Sequence, residues 1–291
     1  MREDADERQF KEELTAELEQ ELERAEADEP DDYDWAADFA AEPMIEVRDL
    51  EFAVPGEVLL HDVSFEVYPG EVFGLMGMSG CGKSTLLRCL MGLNRATRGV
   101  IEIDGQNIVG KREDELNRIR HKMGMCFQEA ALFDSMTVAD NVGFGLKRHT
   151  KLKRDQIRQL VDKHLEIVGL EGTGHLMPAE LSGGMRKRVG IARALIMQPA
   201  ILFYDEPTSG LDPVRAAHVN DVIHQLRGAF GTTSIVVTHD VRGLFDIADR
   251  VLMIDEQTVA AYGTPDELRA SSIPIVRQFV HGEIECAAHV T

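Results

Sequence analysis

From Met44 onward the chain alternates short, nearly continuous apolar runs with longer stretches whose apolar residues recur at helical spacing. The runs predict strands over Ile45 to Leu50, Val63 to Val67, Val72 to Met76, Met123 to Phe127, Ile201 to Tyr204, Ser234 to Val237 and Val251 to Ile254. The helical stretches are Lys83 to Met91, Val138 to Leu146, Arg154 to Val168, Gly183 to Met197, Val214 to Phe230 and Thr264 to Ala270. Strands alternating with helices imply an α/β fold with a largely parallel sheet covered on both faces. The section from about 129 to 180 is mostly helical, interrupts that alternation and reads as an inserted helical subdomain. No internal repeat marks a second copy of the domain.

Residues 1–43 follow a different pattern. Phe10, Leu14, Leu18 and Leu22 recur every four residues and would share one side of a short acidic helix. Its density of acids favours a frayed, solvated helix leading into a disordered acidic linker through Glu29, Pro30, Asp31 and Asp32. The apolar face, with Trp35 and Phe39 beyond it, is the feature that favours docking on a partner instead. The expected organisation is an acidic extension over 1–43, one domain over 44–270 and a short tail over 271–291.

Charge sharpens this division. The net charge is −20. Residues 1–43 hold 18 acids and 4 bases, leaving 33 acids against 27 bases elsewhere. Nonspecific nucleic-acid binding needs Lys and Arg to displace counterions from phosphates, so this balance argues against a nucleic-acid partner. The longest apolar candidate for a membrane span, Ile191 to Tyr204, is interrupted by Arg193 and Gln198. Acids occupy the N-terminus where a secretory signal would carry bases, so a cytosolic protein is expected. Cys81, Cys89, Cys126 and Cys286 form no CxxC pair and suit a reducing compartment.

Candidate chemistry begins at Gly77-Met78-Ser79-Gly80-Cys81-Gly82-Lys83-Ser84-Thr85, which fits G-x-x-x-x-G-K-[ST] between a predicted strand and a predicted helix. Glycines let such a loop curl so that successive backbone N–H groups face phosphates, and the following helix points its positive end at the same anion. Lys83 is placed to reach the β- and γ-phosphates of a nucleotide, and Ser84 to ligate Mg²⁺. Cys81 reads as a small filler of the loop.

A second acidic site narrows the class. The apolar run Ile201 to Tyr204 delivers Asp205 and Glu206 at its end, the carboxyl edge where ligands bind in open α/β sheets. Asp205 would hold Mg²⁺, and Glu206 would polarise the attacking water as general base.

With Leu181-Ser182-Gly183-Gly184-Met185 added, the chain resembles the ABC ATPase family over nearly all of 44–270. The resemblance implies a P-loop NTPase of the ABC type, with a mostly parallel sheet core, an antiparallel β part and an inserted helical subdomain. It implies that Ser182, Gly183 and Gly184 contact the γ-phosphate of ATP held by a second copy, in a head-to-tail homodimer. Gln128 resembles the Q-loop glutamine that senses Mg²⁺ and the attacking water. Ser209-Gly210-Leu211-Asp212 resembles the D-loop, with Asp212 at the dimer interface, and His239 resembles the switch histidine that contacts the γ-phosphate. Val54 stands where many members stack an aromatic residue on adenine, so modest discrimination between ATP and GTP is expected.

The segment Phe127 to Val138, with Asp140, Asn141 and Val142, is similar to the Q-loop region of the ATPases of the Mla and Mce lipid-transport systems, as is Val276 to Gly282 to their C-terminal segment. That similarity implies an integral membrane permease of the MlaE type and an MCE-domain protein as partners. It also implies a place on the inner face of the cell membrane, held through the permease. Two other readings stay open: the ATPase of a glycine-betaine or amino-acid importer, which can also carry LSGGM, and a soluble ABC protein without a permease. Importers of the first kind often append a regulatory domain, for which the residues after Ala270 leave no room. Proteins of the second kind usually carry tandem domains or coiled-coil inserts, which this chain does not show.

Overall fold

The computed structural model describes residues 8–9, 11–16, 18–20 and 42–281. Phe10, Leu22, Trp35, Phe39, Gly282 and Cys286 lie outside the described residues. The chain forms two compact units, one from residues 37–111 with 233–291 and one from residues 1–36 with 112–232. Elements are numbered in chain order through both.

The first unit holds β1 (Ile45–Val54), β2 (Glu57–Val67), β3 (Val72–Gly77), α2 (Lys83–Leu90), β4 (Arg98–Ile103), β5 (Gln106–Asn107), β8 (Thr233–Val237), α9 (Val241–Phe245), β9 (Arg250–Asp255), β10 (Thr258–Gly263), α10 (Pro265–Arg269) and α11 (Pro274–His281). β2, β1, β4 and β5 make an antiparallel sheet in that order. β3 lies between β9 and β8, parallel to both, while β10 pairs antiparallel on the outer side of β9. All six residues of β3 are buried, as expected of a parallel strand covered on both faces. Gly74 lets Leu244 of α9 lie against the strand, where an added Cβ would stand 2.8 Å from its Cδ2. Glu71, fully buried, accepts two hydrogen bonds from the Arg250 guanidinium at 2.6 and 2.7 Å, and Tyr68 and Tyr262 flank that guanidinium at 5.0 and 5.2 Å. Burial of a charge without such pairing would be costly, so this cluster braces β2, β9 and β10.

The second unit holds α1 (residues 8–9, 11–16 and 18–20), α3 (Glu113–Arg120), β6 (Met123–Cys126), α4 (Val138–Val142), α5 (Phe144–His149), α6 (Arg154–Ile167), α7 (Gly183–Leu195), β7 (Ile201–Asp205) and α8 (Pro213–Phe230). β6 and β7 pair in parallel, and α7 packs on β6, α4, α6 and α8. In α1, Leu14 and Leu18 are buried. Lys151 binds Glu12 at 2.7 Å, its backbone N–H donates to Thr15, and Gln156 donates to Glu19.

Where the sequence predicts one helix over Val138 to Leu146, the chain forms two, α4 and α5, meeting at Gly143. The side chain of Asn141 is fully buried there: it accepts from the Phe133 N–H at 2.8 Å and donates to the carbonyls of Phe133, Met136 and Thr137. The predicted strand Met123 to Phe127 stops at Cys126, and Phe127 is exposed. β4 is not among the predicted strands, although Val100, Ile101 and Ile103 are apolar and the last two are buried; α3 carries few apolar residues and buries only Leu116 and Ile119.

Candidate functional site

In the first unit the phosphate loop springs from a buried strand and runs into α2. Gly77, Gly80 and Gly82 have φ of 148°, 84° and 112°, conformations that side-chain-bearing residues rarely adopt. Space enforces the choice at two of them. A Cβ on Gly77 would stand 2.2 Å from the Ile254 carbonyl oxygen, and one on Gly82 would stand 2.7 Å from Leu60. Gly80 has open space around it, and Met78, Ser79 and Gly80 are exposed. Lys83 is buried, with Nζ donating to the carbonyls of Gly77 and Met78 at 2.8 Å each and lying 3.8 Å from Cys81 Sγ. Its ammonium is thus held against the loop beside Ser84 and Thr85 at the start of α2. A loop whose exposed rim is open, whose curvature is glycine-dependent and whose lysine is pinned inside it fits a nucleotide phosphate chain.

Register places His239 at the same edge. β3 and β8 are parallel with Leu75 opposite Val237, so Gly77 and His239 each lie two residues beyond a paired position. The Thr238 N–H donates to the Leu75 carbonyl at 3.2 Å, and His239 is exposed. Val54 ends β1 with 38% of its surface exposed, an apolar side chain available to a base.

The same logic operates in the second unit. β6 and β7 are parallel with Cys126 opposite Tyr204, and Gln128 and Glu206 each lie two residues further on. Gln128 Nε2 donates to Ser209 Oγ at 3.4 Å, and the Ser209 N–H donates to the Glu206 carbonyl at 3.2 Å. Four buried residues of β7 lead to the half-buried carboxylates Asp205 and Glu206. Glu206 has a φ of 50°, a left-handed backbone in a residue with a side chain. Such strain persists only where surrounding contacts enforce it.

Ser182 caps α7, its Oγ accepting from the Met185 N–H at 3.3 Å, so Gly183 and Gly184 open the helix with uncluttered backbone. Asp212 caps α8, accepting from the Arg215 N–H and pairing with the Arg215 side chain at 3.2 Å. No group of three or more His, Cys, Asp or Glu side chains is arranged to hold a metal among the described residues. Mg²⁺ binds through one or two protein oxygens together with phosphates and water; taken separately, Ser84 at the start of α2 in the first unit, and Asp205 and Gln128 after the strands of the second, each carry an oxygen of that kind.

Lys187, one turn further along α7, was not marked by any spacing in the sequence. Its Nζ donates to the Glu206 carbonyl at 3.0 Å. Burial draws its pKa below the ordinary lysine range, against the opposing charges of Glu129 and Glu206. Among the described residues, no helix is long and apolar enough to cross a membrane.

The family model described as ABC transporter matches residues 60–209. The chain is 41% identical over 240 residues to the intermembrane phospholipid transport system ATP-binding protein MlaF of Haemophilus influenzae, covering 82% of this chain and 91% of that protein. It is 42% identical over 238 residues to the probable ribonucleotide transport ATP-binding protein mkl of Mycobacterium leprae, covering 82% and 69%. Among solved structures, the ATP-binding cassette MJ0796, a dimer in a post-hydrolysis state bound to ADP and Pi, superposes with a TM-score of 0.70 at 29% identity over 76% of this chain and 99% of that one. CbiO1 of Clostridium perfringens, part of the transporter complex cbiONQ, gives 0.75 at 31% identity over 82% and 95%.

Proposed function

Because this chain belongs to the ABC transporter family and is an ATPase subunit of that kind, we propose that it drives phospholipid transport through a separate membrane permease. The observation that carries the substrate class is the 41% identity to a phospholipid-transport ATPase across 91% of that relative's length.

The mechanism follows from the residues at the two carboxyl edges. The backbone N–H groups from Gly77 to Thr85 cradle the phosphates, Lys83 neutralises the β- and γ-phosphate oxygens, and Val54 lies against the base. Ser84, Asp205 and Gln128 would hold Mg²⁺, which when bound supplies charge neutralisation at the phosphates. Glu206 accepts a proton from the attacking water, whose oxygen bonds to the γ-phosphorus as the bond to the β–γ bridging oxygen breaks, giving ADP and inorganic phosphate. His239 steadies the γ-phosphate. Ser182, Gly183 and Gly184 of a second copy close the site with Asp212 beside them, as the dimeric state of the MJ0796 cassette supports. Hydrolysis releases the dimer, and that movement is passed to the permease.

A surface suited to receive the permease lies on the second unit. A cavity of about 430 Å³ is lined by Met136, Asp140, Phe144, Lys147 and Arg148. Phe144 is exposed, with its ring centroid 4.9 Å from that of the exposed Phe133. Exposed aromatic pairs rimmed by charge are characteristic of interfaces, and we assign this one to a short cytoplasmic helix of the permease. The chain would then sit at the inner face of the membrane through that contact, with an MlaE-type permease and an MCE-domain protein completing the assembly.

Purification with native membrane partners in mild detergent, followed by mass spectrometry of co-purifying subunits and small molecules, tests this reading. A permease carrying phospholipid is the expected result. A solute permease with a soluble binding protein would overturn the phospholipid assignment, and bound ribonucleotide would favour the substrate for which the mkl relatives are named. Absence of any membrane subunit would overturn the transport role itself.

A further inference from the structure

The carbonyl oxygen of Glu206 is gripped from two sides. Lys187 Nζ reaches it from α7 at 3.0 Å, and the Ser209 N–H reaches it from the turn that follows at 3.2 Å. Ser209 in turn accepts from Gln128 Nε2 at 3.4 Å. Gln128, Ser209, Glu206 and Lys187 therefore form one continuous chain of contacts within the second unit, ending on the helix that Ser182 caps. The backbone at the centre of this chain is the left-handed one, with φ of 50° at Glu206. A side-chain-bearing residue adopts that conformation only when its neighbours hold it there. Since φ sets the direction in which Cβ leaves the backbone, whatever holds the Glu206 peptide also aims its carboxylate.

We propose that Lys187 is a positioning residue for ATP hydrolysis: by holding the Glu206 carbonyl it fixes the left-handed backbone that aims the Glu206 carboxylate at the attacking water. Lys187 touches neither nucleotide nor water in this role. Because it grows from α7, the helix whose first turn would meet ATP on a second copy, it also ties the aim of Glu206 to the seating of that turn. The half-buried ammonium is kept near Glu206 by the carboxylates of Glu129 and Glu206, which oppose the effect of burial on its charge. Methionine fills similar volume without a donor, and arginine restores one.

This inference rests on Glu206 being the general base, and the test separates the two. Steady-state ATP hydrolysis and nucleotide binding are measured on the full chain for Lys187→Met, Lys187→Arg, Glu206→Gln and the double variant Lys187→Met/Glu206→Gln. Misplacement of a reacting group by about 1 Å costs on the order of 100-fold in rate, so Lys187→Met is expected to lower kcat by roughly 10- to 100-fold with KM for ATP within about threefold. Lys187→Arg is expected to stay within about threefold of the parent in both. In the Glu206→Gln background the methionine should cause no further loss, because the carboxylate it would misaim is gone. If Lys187→Met folds poorly, Lys187→Gln, which keeps a shorter donor, should show the same split between kcat and KM to a smaller degree. Parent kcat in Lys187→Met beside an inactive Glu206→Gln would overturn the positioning role alone. So would parallel losses of kcat, nucleotide affinity and melting temperature in both the methionine and arginine variants, the pattern of a plain structural brace. Parent-rate hydrolysis in Glu206→Gln would remove the base assignment and this inference with it.

Discussion

Arg193 Nη2 donates to the Ala130 carbonyl at 2.8 Å, and its other terminal nitrogen donates to the Ala131 carbonyl at 2.7 Å. Both alanines have positive φ, 60° and 46°, and Ala130 is buried against Gly190 of the same helix, α7. One forked side chain thus holds a strained turn two and three residues after Gln128. The Ala130 bond is part-buried and the Ala131 bond exposed, and a hydrogen bond from a charged donor is worth about 1.5–3 kcal/mol, less where water can replace it.

Arg193→Ala is therefore expected to lower unfolding free energy by about 1–3 kcal/mol in urea denaturation and to slow hydrolysis by loosening Gln128. Arg193→Lys should recover only part of both, since an ammonium cannot fork across two carbonyls. Parent stability and rate in the alanine variant would show that the turn holds itself.

The thiols of Cys89 and Cys126 are pushed up to about 12 by burial, with the Arg193 charge opposing the shift at Cys126. Both pKa values rise from an ordinary 9.0, so below pH 9 the thiols are protonated in folded and unfolded chains alike. Above that the unfolded chain releases protons that the native one keeps, and stability falls as pH rises toward 12. At pH ~8, thiol labelling of native protein read by peptide mass spectrometry should leave both residues unmodified. Rapid labelling without unfolding would contradict their burial.

Leu18 has no exposed surface, and Leu14 has 4%. We take the described part of the acidic extension to be a docked arm of the second unit. Leu18→Ala is expected to cost about 2 kcal/mol or more in chemical denaturation and to release the amides of α1 to fast hydrogen exchange. Unchanged exchange would mean that this face is not what holds the helix.

Much of this protein is readable in its residues, and the unread part has physical reasons. Parallel strands buried on both faces announce themselves as apolar runs, so β3, β7, β8 and β9 and the motifs at their ends were visible. The ABC family read from Leu181–Met185 and the phosphate loop is the family that matches residues 60–209. The break at Gly143 was hidden, because Asn141 takes up four backbone partners that no spacing rule records. The charge density of residues 1–43 favours a frayed, solvated helix, and over the described part of α1 that expectation is corrected: Leu14 and Leu18 are buried and Glu12, Thr15 and Glu19 bond to Lys151 and Gln156, contacts that a count of acids does not record. Lys187 was invisible for another reason: a lysine among the arginines of α7 looks solvated until its distance to Glu206 is known.

In the proposed site Val54 would offer the base apolar contact and no hydrogen-bonding edge, which would leave the choice between adenine and guanine to weak discrimination. The ratio of kcat/KM for ATP over GTP is expected to stay below about 100, within the range that apolar pockets achieve. A larger preference would point to a polar base contact elsewhere.

We assign Glu206 as the base of an ATPase that closes as a dimer around nucleotide. The most direct measurement is the mass of Glu206→Gln in solution by light scattering, with and without ATP, beside its hydrolysis rate and with Lys83→Ala as the comparison. Glu206→Gln is expected to bind ATP, hydrolyse it at least about 100-fold more slowly than the parent and accumulate as an ATP-dependent dimer, whereas Lys83→Ala should fail to bind nucleotide and stay monomeric. Parent-rate hydrolysis by Glu206→Gln, or a mass unaffected by ATP, would contradict the account.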